Sequence, residues 1–253
     1  VPKRLCELLR GVEYRHLKGN LESPILGLAY DSRQVRAGEL FASLPGLRTD
    51  GHLYIEEALR RGAAAVMIQH GKEALLPAHA LVAISVASSR PALAAMAANF
   101  FDYPSLHLHL VGITGTNGKS TTAHLINSLH QAANLPCGII GTLAYQLQEE
   151  WRPASRTTPE APDLQALLAE MRGRGLSHIA MEVSSHALAQ YRVDGCCFRF
   201  AVFTNLSRDH LDYHPTEQDY LAAKLRLFAD PAFLPAEGKR INIINLDDPA
   251  AEK

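Results

Sequence analysis

Short uninterrupted apolar runs alternate along this chain with longer segments in which apolar side chains return at helical spacing. Near the start, LGLAYDSRQV and ELFASL read as short strands joined by a polar turn. HLYIEEALRRG has the spacing of a helix that stops at Gly62, and AAAVMI directly after it has the length of a buried strand. These elements predict a compact α/β unit. The organisation changes near residue 88, where Ser88 and Ser89 offer N-caps to RPALAAMAANFF, a helix whose leucine and alanine stripe ends before Tyr103-Pro104. A domain junction is expected there, with a first domain over 1–88 and a second over 89–253.

From residue 106 strand and helix patterns alternate: LHLHLVGIT, then STTAHLINSLHQAA, then a short CGIIGT strand. PDLQALLAEMRGRG, with Pro162 suited to a first helical turn, leads into HIAMEV; FRFAVFTN is followed by a helix over 216–228 and by INIINL. This order predicts a mostly parallel sheet with helices on both faces. In such sheets ligands gather outside the carboxyl ends of the strands, so the residues that follow each apolar run are the ones to examine.

Composition narrows the picture. The 253 residues are 47% hydrophobic, enough for a sizeable core and one or two domains. With 25 basic and 26 acidic residues the net charge is −1, so no global field favours nucleic acid or an anionic membrane as partner, and any anion site must be local. No stretch approaches the ~18 apolar residues of a spanning helix, and VPKRLCELLR has no long apolar core after its charges, so a cytoplasmic location is expected. Cys6, Cys137, Cys196 and Cys197 show neither metal spacing nor a disulfide framework and read as reduced thiols.

Chemistry-bearing residues follow the apolar runs. GITGTNGKST, at 112–121, stands between a strand and an amphipathic helix. Its glycines let backbone N–H groups approach an anion and the helix start adds partial positive charge; Lys119 can reach terminal phosphates and Ser120 can ligate magnesium. A strict G-x-x-x-x-G-K-[ST] would need glycine at 113, where Ile113 stands, and an ordinary turn is the competing reading. Glu182 ends the run in IAMEVSSH, where a carboxylate facing water is equally open. VFTNLSRDHLDYH places Asp209, His210, Asp212 and His214 after another apolar run; His210 and His214 are four apart, yet neither HExxH nor a cysteine cluster completes a zinc site. In DYLAAKLRLF, Lys224 shares a helical face with Tyr220, Leu221, Leu227 and Phe228. Either it snorkels, or the fold needs an amine held inside. A magnesium nucleotide site accounts for Ser120, Glu182, His210 and Lys224 together, although lysine is a strange companion for a cation.

TGTNGKST, MEVSSHALAQYRV, FTNLSRDHLDYH and YLAAKLRLF, in this order and spacing, resemble the Mur ligase family and, within it, the MurE branch of tripeptide synthetases. LAYDSRQVRAGELFASLPGLRTDGHLYIEEALRRGAAAV resembles the same branch, so the likeness runs along nearly the whole chain. TGT-x-GK-[ST] is that family's own phosphate loop, which accounts for Ile113. The resemblance implies an α/β fold: a small N-terminal α/β UDP-binding domain followed by an incomplete P-loop ATPase domain with a mostly parallel sheet. It implies ATP and Mg2+ as cofactors, with Gly115, Thr116, Asn117, Gly118, Lys119, Ser120 and Thr121 on ATP and Lys119 on its γ-phosphate. Ser120, Glu182, His210 and a carbamylated Lys224 would organise the metals, the carbamate turning a buried cation into a carboxylate-like anion.

The implied reaction joins a diamino acid, meso-diaminopimelate or L-lysine, to UDP-MurNAc-L-Ala-D-Glu through an acyl phosphate, in peptidoglycan biosynthesis. Tyr30, Ser32, Leu47, Arg48 and Thr49 match positions that hold the uridine diphosphate. Thr157, Thr158, Ser184, Gln190 and Arg192 match those that hold sugar, phosphate and peptide. No nucleic-acid or membrane partner is implied, and a monomer is expected. The match ends at INLDDPAAEK, with Asn245 and Asp248 resembling the start of an adenine-side motif, so a fragment without the amino-acid-binding domain and without full activity is expected. Folylpolyglutamate synthetase lacks a counterpart to residues 1–88, and MurF fits MEVSSHALAQYRV and NLSRDHLDYH less well. A non-catalytic nucleotide-sugar binding module remains the alternative from a different class.

Overall fold

The computed structural model describes residues 1–252 apart from 47–48, 211 and 235–239. The chain divides into two compact units, Val1–Asp102 and Tyr103–Lys253. Among the described residues no helix is long and apolar enough to cross a membrane.

In the first unit five strands form one sheet in the order Tyr14–Lys18, Ala83–Val86, Ala65–Gln69, Leu40–Ala42, Leu28–Ala29. The last four are mutually parallel, and Tyr14–Lys18 runs antiparallel along one edge. The first four positions of Ala65–Gln69 are apolar and buried because both faces of that stretch are covered. Ala65 and Met67 join Leu93 and Met96 on one side, while Val66 and Ile68 join Ile55 and Ala58 on the other. The helix expected after Ser88 spans Ser89–Phe100, with Ser88 extended as its N-cap residue but making no side-chain cap bond. This helix belongs to the first unit, and the boundary falls at 102/103 rather than at 88/89. Its Leu93 and Met96 complete the core, and Asn99 Nδ2 donates to the carbonyls of Leu8 (2.7 Å) and Arg10 (2.8 Å). LGLAYDSRQV gives a strand only at Leu28–Ala29; Asp31 then caps a single 3-10 turn, Ser32–Gln34, through a bond from Arg33 N.

In the second unit seven strands, among the described residues, form one sheet. Their order is Glu150–Pro153, Ala144–Leu147, Cys137–Ile140, His178–Glu182, His109–Thr114, Phe200–Phe203, Ile241–Ile244. The last five are parallel, and the first two add an antiparallel hairpin to one edge. The strand earliest in the chain, His109–Thr114, lies between two later ones. Connections therefore leave it in both directions, and the crevice at its carboxyl end is where an open α/β sheet takes a ligand. Helix Lys119–Ala132 covers one face through Ala123, against Ile113, Ile139 and Ala180. On the other, Leu164, Leu168 and Met171 of Ala161–Gly173 and Leu227 of Glu217–Ala229 pack on Leu110, Ile179 and Met181. Helix Glu217–Ala229 opens on a capping box, with Thr216 Oγ1 accepting from Asp219 N and Asp219 accepting from Thr216 N.

Candidate functional site

The loop after His109–Thr114 reverses through Gly115 (φ 144°) and Gly118 (φ 84°) before helix Lys119–Ala132 begins. Gly115 has no room for a side chain, because a Cβ there would lie 1.9 Å from Thr204 Oγ1. The loop is held by the segment that follows the neighbouring strand Phe200–Phe203. Asn205 Oδ1 accepts from Asn117 N (2.9 Å) and its Nδ2 donates to Asn117 O (3.0 Å); Thr204 Oγ1 donates to the same carbonyl at 2.7 Å. Ser207 N donates to Thr116 Oγ1, which also contacts the Tyr220 hydroxyl at 3.1 Å. Asn245 and Asp248 brace this segment in turn: Asn245 Nδ2 donates to Thr204 O and Asp248 Oδ2 accepts from Leu206 N.

Lys119 Nζ folds back onto the carbonyls of Gly115 (2.9 Å) and Thr116 (2.7 Å). Lys224 is 2% exposed, donates to the same Gly115 oxygen at 2.9 Å, and stands 4.3 Å from the centre of the Tyr220 ring. Burial lowers the pKa of Lys119. Burial, and then repulsion from Lys119, brings Lys224 down to about 7. The amine expected inside the fold is inside it, and the snorkelling alternative is excluded by its burial.

Both lysines open on a cavity of about 380 Å³ that is also lined by Thr142, Arg156, Thr157, Thr158, Ser184, His186, Arg192, His210 and Tyr220. Among the described residues four of its lining side chains are cationic types, Lys119, Arg156, Arg192 and Lys224, and none is a carboxylate. Glu182, 2% exposed, lies at the end of its strand and is engaged by Thr142, whose N–H and hydroxyl each donate to its carboxylate at 3.0 Å.

A family model described as the Mur ligase middle domain matches residues 113–253, more than half of the chain, and one described as the Mur ligase family catalytic domain matches residues 24–101. The chain belongs to the Mur ligase family. It is 43% identical over 249 residues to the UDP-N-acetylmuramoyl-L-alanyl-D-glutamate–2,6-diaminopimelate ligase of Geobacter metallireducens, covering 97% of this chain and 48% of that one. To the enzyme of the same name from Gloeobacter violaceus it is 44% identical over 251 residues, with the same coverage, 97% and 48%. A solved structure of a ligase of that name superposes with TM-score 0.80 at 30% identity, over 100% of this chain and 49% of the other. MurF from Acinetobacter baumannii, at 19% identity and TM-score 0.64 over 100% of this chain and 52% of its own, shares the fold. This Mur ligase chain thus spans about half the length of the curated relatives it matches.

Within the Mur ligase chain, Gly115, Lys119, Thr157, Thr158, Ser184, Arg192, His210 and Lys224 come together around the cavity. Thr116, Asn117 and Gly118 form the loop, and Ser120 and Thr121 the first turn of its helix. Arg192, 7% exposed, pairs with Glu160 at 3.0 Å and donates to Gln190 Oε1 at 2.7 Å, while Gln190 Nε2 donates to the Tyr213 hydroxyl. Ser184 caps the short helix Ser185–Ala189. His210 has a left-handed backbone (φ 53°) and its ring stands edge-on to His186 at 4.8 Å. His214 turns to Ser185 Oγ at 3.0 Å, and among the described residues no three His, Cys, Asp or Glu side chains are grouped to hold a metal ion.

Tyr30, Ser32 and Thr49 belong to the first unit, where Ser32 Oγ donates to Glu57 (2.8 Å) and Thr49 Oγ1 meets the Tyr54 hydroxyl (3.1 Å). Leu47 and Arg48 lie outside the described residues. Thr142, Arg156 and His186 are added by the structure. Burial and the neighbouring His210 and His214 lower the His186 pKa to about 4, so its imidazole is neutral at physiological pH. Thr142 and Asn205 each sit just beyond a strand's carboxyl end, and the strand-end rule applied to every run would have found them.

Proposed function

We propose that this chain binds ATP with Mg2+ and UDP-MurNAc-L-Ala-D-Glu, and forms the carboxylate-activating part of a ligase that joins 2,6-diaminopimelate to the D-Glu residue. The observation that carries the reading is the cavity at the phosphate loop, with Lys119, Arg156, Arg192 and Lys224 in its lining and, among the described residues, no carboxylate. Such a lining suits two anions brought together, a triphosphate and a substrate carboxylate, whose mutual repulsion Lys119 and Arg156 offset, Arg192 being paired with Glu160 and Lys224 only partly protonated. The ATP phosphates fit the loop of Gly115 and Gly118 at the start of a helix of 14 residues, with Lys119 on the terminal phosphate. The substrate's carboxylate attacks the γ-phosphorus, ADP leaves, and the acyl phosphate is opened by the incoming amine with loss of phosphate.

For Mg2+ the fit rests on hard oxygen donors, Ser120 in the first helical turn and the buried carboxylate of Glu182, with His210 at the cavity. The cation would neutralise phosphate charge. Lys224 as an ammonium opposes it. With a pKa of about 7, however, much of Lys224 is neutral amine, able to add to CO2 and lose a proton to give a carbamate. Thr157, Thr158, Ser184, Gln190 and Arg192 are assigned to the sugar and peptide, and Tyr30, Ser32 and the loop of Leu47, Arg48 and Thr49 to the uridine diphosphate. Diaminopimelate is preferred to L-lysine on the names of the relatives. A nucleotide-sugar substrate of this kind implies work in the cytoplasm.

Calorimetric titration tests the reading. Both Mg·ATP and UDP-MurNAc-L-Ala-D-Glu are expected to bind, the second in preference to UDP-MurNAc-L-Ala. Binding of the nucleotide-sugar without any for Mg·ATP would assign a non-catalytic binding module, and failure of both ligands to bind would overturn the proposal.

A further inference from the structure

Arg226 lies two positions beyond Lys224 on helix Glu217–Ala229, on the side away from the phosphate loop, and every contact it makes beyond its own helix is with structure outside that loop. Its Nη1 donates to the carbonyl of Leu188. Its Nη2 donates to both carboxylate oxygens of Asp194, at 3.2 and 3.1 Å, and to Asp230 at 2.9 Å. The guanidinium carbon stands 4.5 Å from the centre of the Tyr191 ring, and Tyr191 has a left-handed backbone with φ 58°. One planar cation thus fixes segment 188–194 at its start, its middle and its end, and a fork of this shape can satisfy all three at once where an ammonium cannot.

The anchored segment carries Gln190 and Arg192 between its fixed points. A non-glycine residue in the left-handed region is strained and persists only where its surroundings hold it. Tyr191, between those two side chains, is held by the stack with Arg226. Asp194 needs the same partner, since burial pushes its carboxyl up while Arg226 pulls it down.

We propose that Arg226 is a positioning residue that holds Gln190 and Arg192 in register for the nucleotide-sugar, from behind the segment that carries them. The proposal rests on the assignment of Gln190 and Arg192 to that ligand.

Two measurements on the chain test it, in the parent, Arg226→Ala and Arg226→Lys. In calorimetry, Arg226→Ala is expected to weaken UDP-MurNAc-L-Ala-D-Glu binding by about tenfold or more, with Mg·ADP affinity within about twofold of the parent. Arg226→Lys, which keeps the charge without the fork, should recover only part of the loss. Equal loss for both ligands in step with a lowered melting temperature, or no loss for either, would overturn the proposal. In ligand-free amide exchange by NMR, the amides of Gln190 and Arg192 should exchange faster in Arg226→Ala while those of Thr116 and Asn117 do not change. Unchanged exchange at 190 and 192 would likewise overturn it. If the parent binds no nucleotide-sugar, the assignment of that ligand fails, and the exchange result still decides whether Arg226 holds the segment. Should Arg226→Ala not fold, Asp194→Asn keeps the size of its partner, removes its charge and carries the same expectations.

Discussion

Lys119 and Lys224 share one acceptor: each Nζ donates to the carbonyl oxygen of Gly115 at 2.9 Å. Two ammonium groups on one oxygen oppose each other's charge, and Lys224, the more deeply buried, gives way furthest. Unfolded Lys224 keeps its proton up to the ordinary value of 10.5, whereas the folded group holds it only to about 7. Below about 7 both states are protonated and the penalty on folding is complete; between there and 10.5 the unfolded state binds more protons and the penalty is progressively relieved. Lys224→Met is therefore expected to be more stable than the parent near pH 6, by roughly 2–5 kcal/mol, with the gap narrowing toward pH 10. Urea titrations followed by Trp151, the single tryptophan and a residue of the second unit, measure it. A gap independent of pH would show that another group titrates.

Lys119→Ala should lower the affinity for Mg·ATP by on the order of 100-fold and leave the melting temperature nearly unchanged. The Lys119 side chain lines the cavity and satisfies carbonyls at its rim, and it fills no part of the apolar core. Calorimetry paired with a thermal melt reads both effects, and an unfolded variant would assign Lys119 to the scaffold.

Gly115→Ala combines a φ of 144° with a Cβ 1.9 Å from Thr204 Oγ1, and is expected to cost about 2–4 kcal/mol and to abolish nucleotide binding. Adding Thr204→Ala removes the collision and leaves the dihedral penalty, so the double variant should recover stability in part. A double variant no better than the single would place the whole cost in the backbone.

Ser32→Ala should reduce affinity for UDP-MurNAc-L-Ala-D-Glu about tenfold, while Mg·ATP binding stays as in the parent. Ser32 is buried and its hydroxyl already donates to Glu57, so the alternative is a structural bond alone. Lowered stability with unaltered affinity in calorimetry would decide for that alternative.

Where one element's own residues carry the signal, the sequence is readable. AAAVMI has no polar position because its strand is covered on both faces, and Thr216 with Asp219 marks the start of the Lys224 helix. The apolar helical face of Lys224 leaves snorkelling and burial both open in the sequence, and the packing of the helix decides for burial. YRHLK is not legible as a strand, since it lies at a sheet edge with mostly exposed side chains and no apolar period. Pairings across long separations are invisible in one sequence: the bonds of Asn205 to Asn117 and of Thr142 to Glu182 exist only once strands are adjacent, and that of Arg226 to Asp194 only once its helix has docked. The domain boundary is missed for the same reason, because Asn99 reaches back to Leu8 and Arg10.

The interior place of His109–Thr114 in its sheet, between two later strands, sets an order of assembly. Its ladder partners are His178–Glu182 on one side and Phe200–Phe203 on the other, both far later in the chain. The loop after His109–Thr114 acquires its shape from Asn205 and Ser207, so a nascent or refolding chain lacks that shape until the segment after Phe200–Phe203 has docked. Pulse-labelled exchange during refolding should find the Asn117 amide protected no earlier than those of strand Phe200–Phe203, and protection before that strand forms would refute this order. The geometry of this loop is thus a long-range property of the fold, present only in molecules whose sheet has closed around its oldest strand.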